Sequence, residues 1–197
     1  MTTANKITLV RILLVPVFVV CAVYYADSYS DGRTPDDRWR WAAITTFILA
    51  ATSDGIDGFI ARRFNQRTRL GAILDPLADK LLLVAALVTL SATGWPNGFP
   101  FWFPILVIAR DIITAIGAVM VKHFTGEVRI TPHWTGKVAT FLVMVAIAWV
   151  MLEIHIPKPI VLTVAASVFV TISGAVYFLD GLRRIHASGF GDPDRQL

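Results

Sequence analysis

Four aspartates occur as two closely spaced pairs on either side of a short basic stretch. Asp54 and Asp57 are three positions apart, and Asp75 and Asp79 are four positions apart. If both segments are helical, each pair lies on one face of its helix, and the short loop brings the two helices side by side. Four carboxylates that face one another repel strongly, and a pair of divalent cations would relieve that repulsion. Oxygen ligands favour Mg²⁺, Mn²⁺ or Ca²⁺ over zinc.

Small residues and one arginine accompany these aspartates. Gly58, Ala61 and Gly71 leave room for the close approach of a ligand or of neighbouring backbone. Arg62 can offer a two-pronged hydrogen bond to phosphate oxygens. This combination is typical of a site for a nucleotide diphosphate: metals bridge the pyrophosphate, small residues lie beside it, and an arginine binds its oxygens. A proton or cation pathway through a helical bundle also uses such carboxylates, so the spacing by itself leaves that alternative open.

The elements that carry these residues are strongly apolar. Of the 197 residues, 55% are hydrophobic and 16% are charged, against about 25% charged residues in an ordinary soluble domain. A helix needs about 20 apolar residues to cross a bilayer, and six runs of about that length lie at 7–27, 39–61, 72–93, 100–121, 137–154 and 159–182. The sequence therefore predicts an all-α polytopic membrane protein, a bundle of six transmembrane helices. Residues 1–186 are expected to form one domain, and 187–197 a flexible tail.

The basic residues set the predicted orientation. The net charge is +4, and most Lys and Arg residues, Lys6 and Arg11 among them, fall near the two termini or in the second and fourth loops. Because basic residues favour the cytoplasmic side, both termini and the aspartate pairs are predicted to face the cytoplasm. A basic excess in such a protein indicates membrane lipids as partners and no nucleic acid. The first apolar run lacks a clear small-residue cleavage site and is expected to remain as a membrane anchor.

The aspartate pairs belong to a longer pattern. Residues 54–62 (DGIDGFIAR), then Gly71, Asp75 and Asp79 at fixed intervals, resemble in full the signature of the CDP-alcohol phosphatidyltransferases. The resemblance implies a homodimer that transfers a phosphatidyl group from CDP-diacylglycerol to an acceptor hydroxyl and releases CMP. It implies two divalent cations, Mg²⁺ or Mn²⁺, held by the four aspartates, with Asp79 as the general base. It also implies a CDP site lined by Gly58, Ala61, Arg62 and Gly71.

The amino-terminal segment resembles one branch of this family. Residues 5–11 (NKITLVR) are similar to the opening of the bacterial phosphatidylglycerophosphate synthases and of the related cardiolipin synthases. This resemblance implies a bacterial inner membrane as the location, and it implies that Asn5 and Thr8 contact the nucleotide from the first helix. The alternative is that these two residues only cap that helix where its membrane span begins.

Arg110 and Asp111 lie inside the fourth apolar run and are candidates for binding the acceptor. Phosphatidylglycerophosphate synthases usually have Arg-Glu here and a second arginine seven residues after the glutamate, where this chain has Ala118. The phosphate of glycerol 3-phosphate favours cationic ligands. The missing arginine therefore favours phosphatidylglycerol as acceptor, as in the CDP-alcohol-type cardiolipin synthases. Glycerol 3-phosphate is the alternative acceptor, since Lys122 or Arg129 could replace the charge.

Lys137 is a further acceptor-binding candidate. It lies in a segment, 136–140 (GKVAT), that resembles one shared by both kinds of synthase, where the lysine would meet an acceptor phosphate. Two other interpretations stay open. Lys137 could extend its charged end from the helix start to the membrane surface, and Arg110 with Asp111 could form a purely structural ion pair.

A non-catalytic, ion-coupled membrane transporter is the alternative from another functional class. Transporters more often have interrupted helices near the middle of the membrane and matching halves. Here the carboxylates cluster at one predicted membrane face, and the sequence has no evident internal symmetry. Release of CMP would distinguish the enzyme from the transporter.

Overall fold

Helices make up nearly all of the chain that is described by the computed structural model, which covers residues 3–30, 35–63, 71–125 and 134–187. Side chains are described for 7–29, 35–53, 71, 74–121 and 134–183. The helices are α1 (Thr3–Ser30), α2 (Asp37–Arg63), α3 (Gly71–Ala92), α4 (Trp102–Thr125), α5 (Trp134–Met151) and α6 (Pro159–Ala187). These residues contain no strand, which confirms the all-α prediction, and each apolar run coincides with one helix.

Short polar or glycine-containing segments determine where the helices end. Asp36 caps the start of α2, where its Oδ1 accepts a hydrogen bond of 3.1 Å from the Arg38 backbone N–H. In the turn between α3 and α4, the Gly98 N–H donates to the Trp95 carbonyl at 3.0 Å. A Cβ at Gly98 would lie only 2.2 Å from the Leu90 carbonyl oxygen. This tight turn therefore requires glycine.

One structural unit comprises residues 1–104 and 147–159. Its core lies between α1, α2 and α3, where the rings of Phe18 and Phe47 pack with their centroids 5.8 Å apart. Small side chains fill the rest of the contact and let the helices approach closely. The fully buried alanines are Ala22, Ala43, Ala50, Ala78 and Ala86.

A polar cluster of Tyr25, Arg40 and Glu153, which we call the Glu153 cluster, lies in the same unit. The Tyr25 hydroxyl donates to a Glu153 carboxylate oxygen, and Arg40 Nη1 lies 3.0 Å from Glu153 Oε2. The Tyr25 ring packs on Trp95 at 4.6 Å between centroids. This cluster ties α1 and α2 to the segment that follows α5.

The second unit comprises residues 105–146 and 160–197 and contains most of α4, α5 and α6. Its buried apolar side chains recur at helical spacing, as Ala139 and Val143 do on α5 and Ala166 and Val170 on α6. Ser173, one helical turn after Val170, is fully buried although it is polar. A buried hydroxyl needs a hydrogen-bond partner, and that partner lies in the site described below.

Among the described residues, four stretches are long and apolar enough to cross a membrane: Ile7–Tyr29, Trp102–Val121, Trp134–Met151 and Pro159–Arg183. Large apolar side chains on them are exposed, such as Leu13 and Val119, each at 67%. Apolar surface of this extent is suited to lipid, and we conclude that the chain is an integral membrane protein. The six-span topology, the cytoplasmic termini and the single domain over 1–186 stay predictions.

Candidate functional site

A first candidate site, in the unit of residues 1–104 and 147–159, includes a contact between α1 and α3. Thr8 Oγ1 donates a hydrogen bond of 2.8 Å to Asp75 Oδ1, and Arg11 Nη1 donates one of 2.5 Å to Asp79 Oδ1. Thr8 and Arg11 lie three positions apart on one face of α1, and the two aspartates lie four positions apart on one face of α3. The two bonds therefore fix the register of one helix against the other.

Arg11 connects three helices. Its Nε donates to Ser53 Oγ on α2 at 3.2 Å, while its Nη1 contacts Asp79 on α3. The Arg11 side chain is 0% exposed, whereas that of Asp79 is 43% exposed. Asp79 belongs to the second aspartate pair, and Ser53 directly precedes Asp54 of the first pair. The Arg11 guanidinium therefore contacts a member of one pair and a neighbour of the other.

Arg11 is a residue to which the sequence pattern assigns no site role. Its place near the start of the first apolar run is typical of a basic residue that marks the cytoplasmic surface. Two signals point to the site instead: it lies within the apolar stretch Ile7–Tyr29, and it follows Thr8 at helical spacing. A charge inside an apolar span usually faces a polar interior.

The other predicted residues of this site are only partly covered by the structure. Gly71 is buried at the first position of α3. Asp75, Asp79 and Thr8 lie together, as described above. The remaining predicted ligands have side chains outside the described residues, so their roles stay predictions; they are Asn5, Asp54, Asp57, Gly58, Ala61 and Arg62.

The described half of the motif fits a divalent cation. Asp75 and Asp79 offer carboxylate oxygens from one helix face, and the 43% exposure of the Asp79 side chain shows that protein does not enclose it. Carboxylate oxygens are hard ligands that suit Mg²⁺ or Mn²⁺.

A second candidate site, in the other structural unit, surrounds Arg110 on α4. Its Nη1 donates to Asp111 Oδ1 at 2.8 Å, and its Nη2 donates to Ser173 Oγ on α6 at 2.6 Å. Its Cζ lies 5.9 Å from the centre of the Tyr177 ring, within reach of a cation–π interaction. Its Nε is buried and has no hydrogen-bond partner in the described part of the chain. A buried, unpaired donor of this kind is costly.

Gly136 on α5 lets the guanidinium come close to this helix. A Cβ at Gly136 would lie 2.9 Å from Arg110 Nη2 and 3.3 Å from Tyr177 Cε2. Any side chain there would displace one of these two groups. The glycine in the segment 136–140 therefore has a packing reason that the sequence alone does not reveal.

Arg110 and Lys137 line one cavity of about 480 Å³, which brings together two of the three predicted acceptor residues. The third, Asp111, contacts Arg110. Thr114 and Thr140 also line the cavity, but their hydroxyls donate to the carbonyls of Arg110 and Gly136 on their own helices. The two cations are therefore the strongest anion-binding groups that the cavity offers, beside the apolar side chains of Phe141 and Met144.

Comparisons with known proteins all indicate the same family of enzymes. A family model described as CDP-alcohol phosphatidyltransferase matches residues 1–179. A probable phosphatidylglycerophosphate synthase of Mycobacterium tuberculosis is 33% identical over 186 residues, which cover 92% of this chain and 82% of that protein. A CDP-diacylglycerol–glycerol-3-phosphate 3-phosphatidyltransferase of Bacillus subtilis is 35% identical over 185 residues, 88% of this chain and 92% of its own length. The enzyme of that name from Escherichia coli is 36% identical over 149 residues, 74% of each chain.

Proposed function

Because the chain belongs to the CDP-alcohol phosphatidyltransferase family, we propose that it transfers the phosphatidyl group of CDP-diacylglycerol to a hydroxyl of glycerol 3-phosphate. The products are phosphatidylglycerophosphate and CMP, and the reaction serves the synthesis of anionic phospholipids. The names of the relatives favour this acceptor. The observation that carries the proposal within the chain is the cavity in which Arg110 and Lys137 meet.

The acceptor differs from the one that the sequence pattern favours. Ala118, in place of a second arginine, favours phosphatidylglycerol, and that expectation rests on one position of α4. The charge of a binding site depends on which side chains meet in space, and Lys137 of α5 supplies a second cation beside Arg110. Because both kinds of synthase share the segment of Lys137, this cation does not decide between the two acceptors, and the choice of glycerol 3-phosphate rests on the names of the relatives. Lys122 and Arg129 lie outside the described side chains.

The chemistry follows from the aspartate motif. An alcohol is a poor nucleophile at neutral pH, so a carboxylate that takes its proton as the new bond forms accelerates the reaction. Asp79 takes this proton, while Arg11 holds its carboxylate in place. The acceptor oxygen bonds to the phosphatidyl phosphorus, the bond from that phosphorus to the bridging pyrophosphate oxygen breaks, and CMP leaves with the electron pair. Two Mg²⁺ or Mn²⁺ ions held by Asp54, Asp57, Asp75 and Asp79 would neutralise the pyrophosphate charge.

The setting of the reaction is part of the proposal. The chain crosses a bacterial inner membrane six times, with both termini and the aspartates on the cytoplasmic side, and it acts as a homodimer. The four apolar stretches support the location in a membrane, and the basic loops support the orientation, whereas the homodimer is proposed from the resemblance to the family. With the aspartates at the cytoplasmic face of the membrane, the nucleotide stays in water and the acyl chains stay in lipid.

A product assay tests the proposed function. Purified protein in detergent with CDP-diacylglycerol and Mg²⁺ receives either glycerol 3-phosphate or phosphatidylglycerol, and the lipid product is identified by mass while CMP is quantified. We expect phosphatidylglycerophosphate from the first acceptor only. Cardiolipin from the second acceptor only would overturn the proposed acceptor, and the absence of CMP with both would contradict the enzymatic assignment and favour the transporter.

A further inference from the structure

Ser173 of α6 lies outside every motif of the sequence, yet its hydroxyl contacts the guanidinium of Arg110. We propose that Ser173 is a positioning residue, which holds Arg110 in the orientation that binds the acceptor phosphate. This inference rests on the proposed function, because it assigns the residue a role in the cavity where the acceptor anion is bound.

The hydroxyl of Ser173 differs from those of Ser167 and Thr171 on the same helix. Ser167 and Thr171 donate to carbonyls of α6 itself, at 2.7 Å and 2.9 Å, which is the usual use of such residues in an apolar helix. Ser173 instead accepts a hydrogen bond of 2.6 Å from another helix, and it is 0% exposed. A buried hydroxyl is costly without a partner, so this serine is suited to one task, the contact with Arg110.

The contact matters because it completes a clamp around a planar group. Asp111 holds Nη1 and Ser173 holds Nη2, while Tyr177 flanks the guanidinium at 5.9 Å. Two bonds to the two ends of a rigid fork fix its plane as well as its position. The clamp still leaves Nε without a partner in the described structure.

A fixed arginine binds an anion better than a mobile one. A side chain that is already ordered loses less conformational entropy when its ligand arrives. Without Ser173, the guanidinium keeps its bond to Asp111 but can turn about it. We therefore expect the serine to affect the affinity for the acceptor phosphate more than the rate of the chemical step.

The test is the kinetics of Ser173→Ala. We expect KM for glycerol 3-phosphate to rise about tenfold, as for the loss of one hydrogen bond to a charged group. We expect kcat and KM for CDP-diacylglycerol to change less than about threefold, and the thermal unfolding midpoint to fall because Arg110 Nη2 loses a buried partner. Ser173→Cys, with a weaker acceptor of similar size, should give an intermediate KM. The matched control is Ser167→Ala, whose hydroxyl contacts only its own helix among the described contacts and which should leave all these values unchanged.

A double variant shows whether the serine acts through Arg110. In an Arg110→Lys background, adding Ser173→Ala should change KM for the acceptor less than about twofold, because the clamped fork is already gone. An unchanged KM in Ser173→Ala, an equal rise in both KM values, or additive effects in the double variant would overturn the inference. If the wild type uses phosphatidylglycerol instead, the proposed acceptor fails separately. The KM for phosphatidylglycerol, compared between the wild type and Ser173→Ala, then tests the role of Ser173.

Discussion

Arg11 and Asp79 form an ion pair across α1 and α3, with 2.5 Å between Nη1 and Oδ1. The cation is completely buried and the carboxylate is 43% exposed. Arg11 thus holds the carboxylate of Asp79, the proposed general base, while part of that carboxylate remains accessible to a ligand. Arg11 also contacts Ser53 beside the second half of the aspartate motif, so one buried residue supports both helices that carry the proposed metal ligands.

Replacing Arg11 should therefore impair catalysis. Lysine keeps the charge of the side chain, but its single ammonium group cannot hold Asp79 and Ser53 with the geometry of a guanidinium. We expect Arg11→Lys to lower kcat about tenfold or more, whereas Arg38→Lys at an exposed position of α2 should leave it unchanged. Steady-state assays of CMP release check this, and wild-type kcat in Arg11→Lys would contradict the positioning of Asp79 by Arg11.

Asp79→Asn should remove the proposed general base and keep its shape. We expect turnover to fall about a hundredfold or more, while the affinity for CDP-diacylglycerol, measured by equilibrium binding, stays largely intact. Asp27→Asn, at an exposed position of α1, is the matched control and should behave as wild type. Full turnover in the Asp79 variant would refute the assignment of the base.

The sequence predicts the helices well and their mutual contacts poorly. Long apolar runs leave no alternative to helices in a membrane, and each run does form one. Pairing of residues across helices depends on helix rotation, which the apolar pattern does not fix when lipid surrounds the bundle. Thr8 does lie against Asp75, at a position that a family resemblance indicates.

Arg11 and Ser173 show what the sequence leaves undetermined. An arginine near a span start can face the membrane surface or the bundle, and a serine in an apolar helix usually bonds to its own backbone. The tertiary contacts, with Asp79 and with Arg110, decide both cases. Ala118 shows how little one position decides, because the names of the relatives favour glycerol 3-phosphate although this chain lacks an arginine there.

Removal of divalent cations should abolish the reaction. Four carboxylates around a pyrophosphate need compensating charge, and their oxygen donors suit Mg²⁺ and Mn²⁺. We expect a chelator to stop CMP release and either ion to restore it, with Zn²⁺ restoring much less. Activity that survives complete chelation, verified by elemental analysis of the sample, would rule out the proposed metal dependence.

Two glycines provide a matched pair for the acceptor cavity. Gly136→Ala places a Cβ 2.9 Å from Arg110 Nη2, whereas a Cβ at Gly117 on α4 meets nothing within 4 Å. We expect Gly136→Ala to raise KM for glycerol 3-phosphate about tenfold by displacing the guanidinium, and Gly117→Ala to leave KM unchanged and stabilise α4 by about 0.5–1 kcal/mol. Equal KM values in the two variants would show that the close approach of α5 to Arg110 is irrelevant to acceptor binding.

The Glu153 cluster should affect stability and leave the kinetics unchanged. Tyr25 lies 14 positions after Arg11 on α1, about 21 Å along the helix axis, so this cluster is remote from the aspartates. Glu153→Ala leaves the Tyr25 hydroxyl and Arg40 without the carboxylate that both contact, which should cost about 1–3 kcal/mol. Glu153→Gln keeps a hydrogen-bonding oxygen and should cost less. Thermal unfolding in detergent should rank the variants in that order, with kcat and both KM values within about twofold of wild type. A selective loss of kcat in Glu153→Ala would instead connect this end of α1 to the chemistry at its start.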